Sequence, residues 1–302
     1  MRRIKKKDQI KKQPKGYQLI RDVLTDDRVG NLISKIVSVY SKIPKTRGCL
    51  ESINEEKGCA AWCCRFQSPQ VLYCEFLNTW RYVLRFWKTN DVLSIVEKSL
   101  QNYLTSNITK GCVFFDREKR MCKQHLTRPY NCRTYGITPP EEFNPKMQKL
   151  RHAYRDDPLV VLKDQCPLVK TEDGSAITTK DTDLWWRRLR SIERKIVPDD
   201  SINDGPDGSY RAYHDHILLH IFHPQTLMDL TEVRLHGDDK DKEEAIEFLM
   251  KELKQHIVSQ MKDKNHGKTG HECECECECG GSEAGECPGN GTDCECNSSS
   301  NA

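Results

Sequence analysis

A run of thiols with the spacing of metal ligands occupies the stretch from Gly58 to Pro167. Gly58-Cys59-Ala60-Ala61-Trp62-Cys63-Cys64 places three cysteines within six residues, Cys112, Cys122 and Cys132 follow at intervals of ten, and Cys166 closes the series. A thiolate ligand must be deprotonated and brought to about 2.3 Å from its metal, and short loops of the C-x₂₋₄-C kind do this because their ends already converge. The Cys59-x₃-Cys63 pair is therefore the nucleus of a site. Adjacent side chains point in different directions, so Cys63 and Cys64 do not easily face one ion, which leaves one of them for a second metal or as a redox thiol. The nine thiols from Cys49 to Cys166 exceed the four of a tetrahedral zinc site, which calls for two sites or for an iron-sulfur cluster with spare cysteines. Cys49 and Cys74, outside the tight groupings, are expected to be small buried apolar groups.

The order CxxxCC, then Cys112-x₉-Cys122, then Arg128-Pro129-Tyr130-Asn131-Cys132-Arg133-Thr134-Tyr135, then Cys166-Pro167 resembles the YkgJ-type cysteine-cluster proteins, a family described as zinc- or iron-chelating. The RPxxCR element after a spaced cysteine is the most specific part. Two positions depart from the family pattern: Trp62 stands before Cys63 where a Gly between the cysteines is common, and His125-Leu126 replaces the usual Tyr after the second-block Cys. The resemblance implies a metal-chelating domain. It extends to the cysteine region of flagellin lysine N-methylase-like proteins, so an enzymatic member stays open. Physically, Arg128 or Arg133 would neutralise an anionic thiolate centre and donate N–H groups to sulfur, and Pro129, with fixed φ and no N–H, would set the turn that presents Cys132.

Composition narrows the setting. Mean hydropathy is −0.74 and no window of eighteen residues is apolar and uncharged, so no membrane span is expected. The N-terminus lacks the apolar stretch of a secretory signal, and sixteen Cys in a chain of that kind point to metal ligands or redox thiols in the cytoplasm rather than to disulfides. Net charge is +3, whereas the first fifteen residues alone carry +7. With no aromatics among its Lys and Arg, that arm reads as a solvated terminus, and no nucleic-acid partner is expected. No GxxxxGK[ST], GxGxxG, GxSxG or HExxH occurs, so the motifs assign no catalytic step. His216, His220 and His223 fall at i, i+4 and i+7, a spacing that can ligate zinc, but with no Cys or Glu in the same pattern they are expected to form a polar or interface stripe.

The elements that must position these groups read as mainly α. Apolar residues at three- and four-residue spacing predict one helix from Tyr17 to about Tyr40, or two broken near Gly30, ended by Pro44. Ser68-Pro69 offers an N-cap and first helical position for a helix from Val71 to Trp87, and Asn90-Asp91 restarts one to about Leu104. Gly111 to Pro140 is turn-rich, without strand alternation. Further helices are expected at Asp181–Val197, where one of Trp185 and Trp186 anchors the core and the following arginines face water, at Tyr210–Phe222 and at Asp238–Met261. The organisation is a basic arm, 1–16; a helical domain with cysteine-rich metal-binding loops, 17–197; a linker or loop, 198–209; a helical extension packed on the core, 210–262; and a Glu/Cys-rich disordered tail, 263–302.

The expected function is an intracellular metalloprotein holding an iron-sulfur cluster or zinc through Cys59, Cys63, Cys64, Cys112, Cys122, Cys132 and Cys166. The thiol surplus and adjacent arginines favour the cluster. The alternative is a redox or protein- or peptide-modifying enzyme with a protein or peptide client. The tail carries Cys273, Cys275, Cys277 and Cys279 alternating with glutamates, followed by Cys287, Cys294 and Cys296. An extended chain would put alternate thiols on one face about 6.6 to 7 Å apart, but Glu and Gly disfavour a strand and no apolar residue is there to bury. Unstructured Cys-x-Cys pairs can instead curl around a soft ion such as Cu(I) or Zn(II), in competition with protons that neighbouring carboxylates hold on the thiols. A peptide of residues 263–302 is expected to bind more than one equivalent of soft metal under reducing conditions, and failure to compete with a weak colorimetric chelator would refute this.

Overall fold

The computed structural model describes residues 27–47, 64, 68–105, 111–119, 121–153, 155–156, 169–197 and 208–266. The basic arm, the beginning of the first expected helix, most of the 198–209 loop and nearly all of the Cys-rich tail lie outside them. Among the described residues the chain is mainly helical, with nine helices and three ladders of two short strands. In chain order these are α1 Asp27–Tyr40, β1 Thr46–Arg47, β2 Gln70–Val71, α2 Tyr73–Phe86, α3 Thr89–Leu104, β3 Phe115–Asp116, β4 Met121–Cys122, α4 Tyr130–Thr134, α5 Pro140–Ala153, β5 Lys170–Thr171, α6 Thr179–Glu193, β6 Arg211–Ala212, α7 Tyr213–Ile221, α8 Pro224–His236 and α9 Asp239–His266. None of these helices is long and apolar enough to cross a membrane.

The helix α2 contributes side chains to both hydrophobic cores. Phe76, Trp80, Val83 and Leu84, spaced for one helical face, join α3, α7, α8 and α9 in one core. Cys74 and the preceding Leu72 face a second core, built with Ile36 and Val39 of α1 and with Trp185 and Leu189 of α6. Cys74 is fully buried, as its position outside the cysteine groupings implies. Trp185 is buried while Arg187 is exposed, and Trp186 lies tilted across Tyr130 with ring centroids 5.6 Å apart.

α1 runs through Gly30 without a break, which selects the unbroken of the two readings of that helix over its described part, and the glycine marks close approach: a Cβ there would lie 3.2 Å from the Arg81 guanidinium of α2. Other expectations are corrected. Ser68-Pro69 does not start α2. It leads into β2, where Gln70 and Val71 pair antiparallel with Ala212 and Arg211, and the helix begins at Tyr73. The turn-rich stretch holds a hairpin, with Phe115 opposite Cys122, and the short α4. Two helices escape the periodicity: α5, which has Pro145 inside it and only Met147 buried, and α8, which starts with Pro224 behind an N-cap at His223.

The histidine stripe is structural among these residues. His216 stacks on Phe76 at 5.2 Å and 15°, and its Nε2–H donates to the Val71 carbonyl at 2.9 Å, which ties α7 to β2. His220 Nδ1 lies 3.3 Å from the Tyr73 hydroxyl, and exposed His223 accepts from Gln225 N–H at 3.2 Å as the cap of α8. Burial pushes the His216 pKa down from 6.5 to about 4, so the folded state holds a neutral ring where the unfolded chain takes up a proton. Its contribution to stability is therefore full above pH 6.5 and is lost as pH falls towards 4, by about 3 kcal/mol at the limit. Urea denaturation should show that His216→Gln flattens this acid slope relative to the parent; an unchanged slope would contradict the assignment.

Candidate metal centre

The cysteine-bearing segments are positioned by the N-terminus of α2, which is buried and has no side-chain cap at Leu72. A helix start leaves backbone N–H groups without intrahelical partners. Two carboxylates supply them. Glu193, fully buried at the end of α6, accepts from Tyr73 N–H at 2.9 Å and from Cys74 N–H at 2.7 Å. Glu75 reaches back to Leu72 N–H at 3.2 Å and also accepts from Tyr130 N–H at 2.7 Å and from the Tyr40 hydroxyl at 2.5 Å. Burial raises the Glu75 pKa against the pull of these three donors, and burial and the Glu75 charge raise that of Tyr40. The Tyr130 contact matters for the thiols, because Tyr130 opens α4 and Cys132 sits in its first turn, with Pro129 as N-cap.

Four of the seven expected core ligands are described, and they come from neighbouring places. Cys112 N–H donates to the Cys64 carbonyl at 2.7 Å, which joins the CxxxCC opening to the second cysteine block. Cys112 then starts a tight turn closed by Phe115 N–H to its carbonyl at 2.9 Å, and Phe115 pairs with Cys122. Cys112 is buried in the first core, and Cys64 and Cys122 are partly buried against it. The buried Tyr213 hydroxyl, 2.9 Å from Thr79 Oγ1, has its pKa raised first by burial and then by the charge of Cys132, with Cys112 contributing as well.

Cys59, Cys63, Cys166 and the tail ligands Cys273, Cys275, Cys277 and Cys279 lie outside the described residues. Segments that flank the core blocks in sequence, though not the tail, do pair. β1, which precedes the CxxxCC opening, pairs antiparallel with β5, which follows Cys166. Val169, next to β5, packs so closely on Gly136 that no Cβ would fit there, and Gly136 follows Cys132 by one helical turn. Among the described residues alone, no group of three or more His, Cys, Asp or Glu side chains is placed to hold a metal ion.

Arg133 gives two of its donors to backbone carbonyls. Its Nε donates to the Arg128 carbonyl at 2.7 Å and its Nη2 to the Leu126 carbonyl at 2.9 Å, while its guanidinium carbon lies 4.3 Å from the Tyr40 ring centroid. It is therefore first a clamp on the loop between β4 and α4, with its charge near Cys132 and Glu75. Arg128 lies in that loop. Its charge and that of Arg133 add to burial in pushing the His125 pKa down to about 4, so this imidazole is neutral at neutral pH. Sequence reasoning overlooked Glu75, Glu193, Tyr213 and His125. A lone glutamate within Val71-Leu72-Tyr73-Cys74-Glu75-Phe76-Leu77 was the available sign of the first, and Cys122-x₂-His125 of the last.

Comparison of the chain with family models, curated proteins and solved structures finds no match to it. Its own contacts make Glu75 the residue that fixes α4. Glu75→Ala would orphan three buried donors, at about 1–3 kcal/mol each, and is expected to lower unfolding free energy by about 3 kcal/mol or more in urea titration. Glu75→Gln, which keeps one acceptor oxygen, should lose less. Two variants with parental stability would show that the carboxylate is not needed there.

Proposed function

We propose that this chain is a cysteine-cluster metalloprotein. Cys59, Cys63, Cys64, Cys112, Cys122, Cys132 and Cys166 hold zinc or an iron-sulfur cluster, and the thiols of Cys273, Cys275, Cys277 and Cys279 capture soft metal for storage or transfer. The observation that carries this reading is the backbone hydrogen bond from Cys112 to Cys64, which brings two distant thiol blocks together at the edge of the core. The approach of Cys132 and Cys112 to Tyr213, the β1–β5 ladder flanking the remaining ligands, and the resemblance to YkgJ-type proteins support it. Thiolates select soft and borderline metals, and the apolar surroundings of Cys112 would limit solvent access to a bound ion. The thiol surplus and the Arg128/Arg133 charges favour the iron-sulfur cluster.

Anaerobic purification followed by metal and acid-labile sulfide analysis tests the assignment: brown protein with sulfide supports the cluster, and colourless protein with stoichiometric zinc supports the zinc form. Cys→Ala at Cys63, Cys122 or Cys132 should lower both metal content and folded stability, because apparent binding energies at structural thiolate sites run to about 10 kcal/mol and are also folding energy. Cys49→Ala should change neither. Retention of metal and parental melting by all four variants would overturn the proposal.

A further inference from the structure

The hydrogen bond that joins the first two thiol blocks also fixes the separation of two particular cysteines. Cys112 N–H donates to the Cys64 carbonyl at 2.7 Å, and a bond of that kind holds the two Cα atoms about 5–6 Å apart, as across a bonded pair of strands. A disulfide spans Cα atoms at roughly 4.4–6.8 Å, so the backbone already sets the distance that such a bond requires. Direction agrees with distance: Cys112 is buried in the first core and Cys64 packs against that same core, so both side chains meet one apolar surface. Neither is in a disulfide in the structure. Their exposure differs, because Cys112 is 8% exposed whereas Cys64 is partly open to solvent. The chain between them makes α2 and α3, so a bond here would close the segment that holds both helices into a loop.

The adjacent pair Cys63-Cys64 leaves one thiol over for redox chemistry, and we propose that it is Cys64, which forms a reversible disulfide with Cys112 when the two are not ligating metal. The reaction is thiol–disulfide exchange with a small disulfide of the glutathione type. The Cys64 thiolate, which solvent reaches, attacks one sulfur of the small disulfide. That S–S bond breaks, a mixed disulfide forms on Cys64, and the first small thiol leaves with the proton that Cys64 gave up. Cys112, shielded from the reagent but held beside Cys64 by the backbone, then loses its proton and attacks the Cys64 sulfur. The second small thiol leaves with that proton. Two protein thiols are thus oxidised by two electrons, and one small disulfide is reduced to two thiols. The new bond takes both sulfurs away from any ion, so oxidation and metal loading of these residues exclude one another. That consequence rests on the centre proposed above, whereas the disulfide itself does not.

The test uses the full chain, stripped of metal by a chelator and equilibrated in graded mixtures of glutathione and glutathione disulfide. Exchange is quenched with acid, remaining thiols are alkylated, the protein is cut with trypsin, and linked peptides are read by mass spectrometry. The peptide from Gly111 to Arg117, whose one thiol is Cys112, should be joined to the peptide from Gly58 to Arg65 through Cys64. The link should persist in Cys63→Ser and be lost in Cys64→Ser. Cys74, which is fully buried, should still be a thiol in the linked parent, the mark that the folded chain has reacted. Linkage of Cys112 to Cys59, Cys63, Cys122 or Cys132 instead, no linkage of Cys112, or linkage only once Cys74 has reacted would overturn the disulfide. Saturation with zinc beforehand should abolish the link. A link that forms unchanged with zinc bound would leave the disulfide standing and remove Cys64 and Cys112 from the metal centre.

Discussion

The buried N-terminus of α2 is the constraint on which the remaining architecture depends. Backbone N–H groups cannot be left bare in a core, and no serine, threonine or aspartate stands at Leu72 to cap them. Glutamates from two places in the chain do it instead, and each fixes something distant by doing so. Glu193 brings the end of α6 onto the start of α2, while Glu75 gathers α1 through Tyr40 and α4 through Tyr130. Negative charge at a helix start is favoured by the helix dipole, which offsets part of the desolvation of both carboxylates.

That arrangement reaches the thiols through a short chain of contacts. Glu75 accepts from Tyr40, the Tyr40 ring carries the Arg133 guanidinium, and Arg133 holds the loop that leads from Cys122 to Cys132. The carboxylate charge also supports the Arg133 charge against desolvation. On the opposite side, Thr79 and Tyr213 tie the same loop to α2 and α7, and Phe114 meets Tyr213 edge to face at 4.9 Å. The described stretch from Cys112 to Cys132 holds only a hairpin of two-residue strands and the start of a short helix, so these side-chain contacts do for it what ladders and helical turns do elsewhere.

A thiolate centre at the rim of such a core would be stabilised by the same groups that order it. Guanidinium charge complements anionic sulfur, and apolar neighbours restrict water.

Much of this was present in the sequence. Helical periodicity is a local property, so α1, α2, α3, α6, α7 and α9 could be read from apolar spacing, and the thiol groupings from composition and interval. Where local signals were weak or misleading, the fold overrode them. α5 carries a proline and one buried residue, and β2 and β6 are two residues long and exist only because they pair. Sequence determined which residues bear chemistry, because side-chain type and spacing are encoded directly. Tertiary structure alone decided that Glu75 and Glu193 cap one helix, that Arg133 turns its fork to loop carbonyls, and that Cys64 meets Cys112. Each of those depends on partners far apart in the chain, whose meeting is fixed by burial and hydrogen-bond satisfaction rather than by any local pattern.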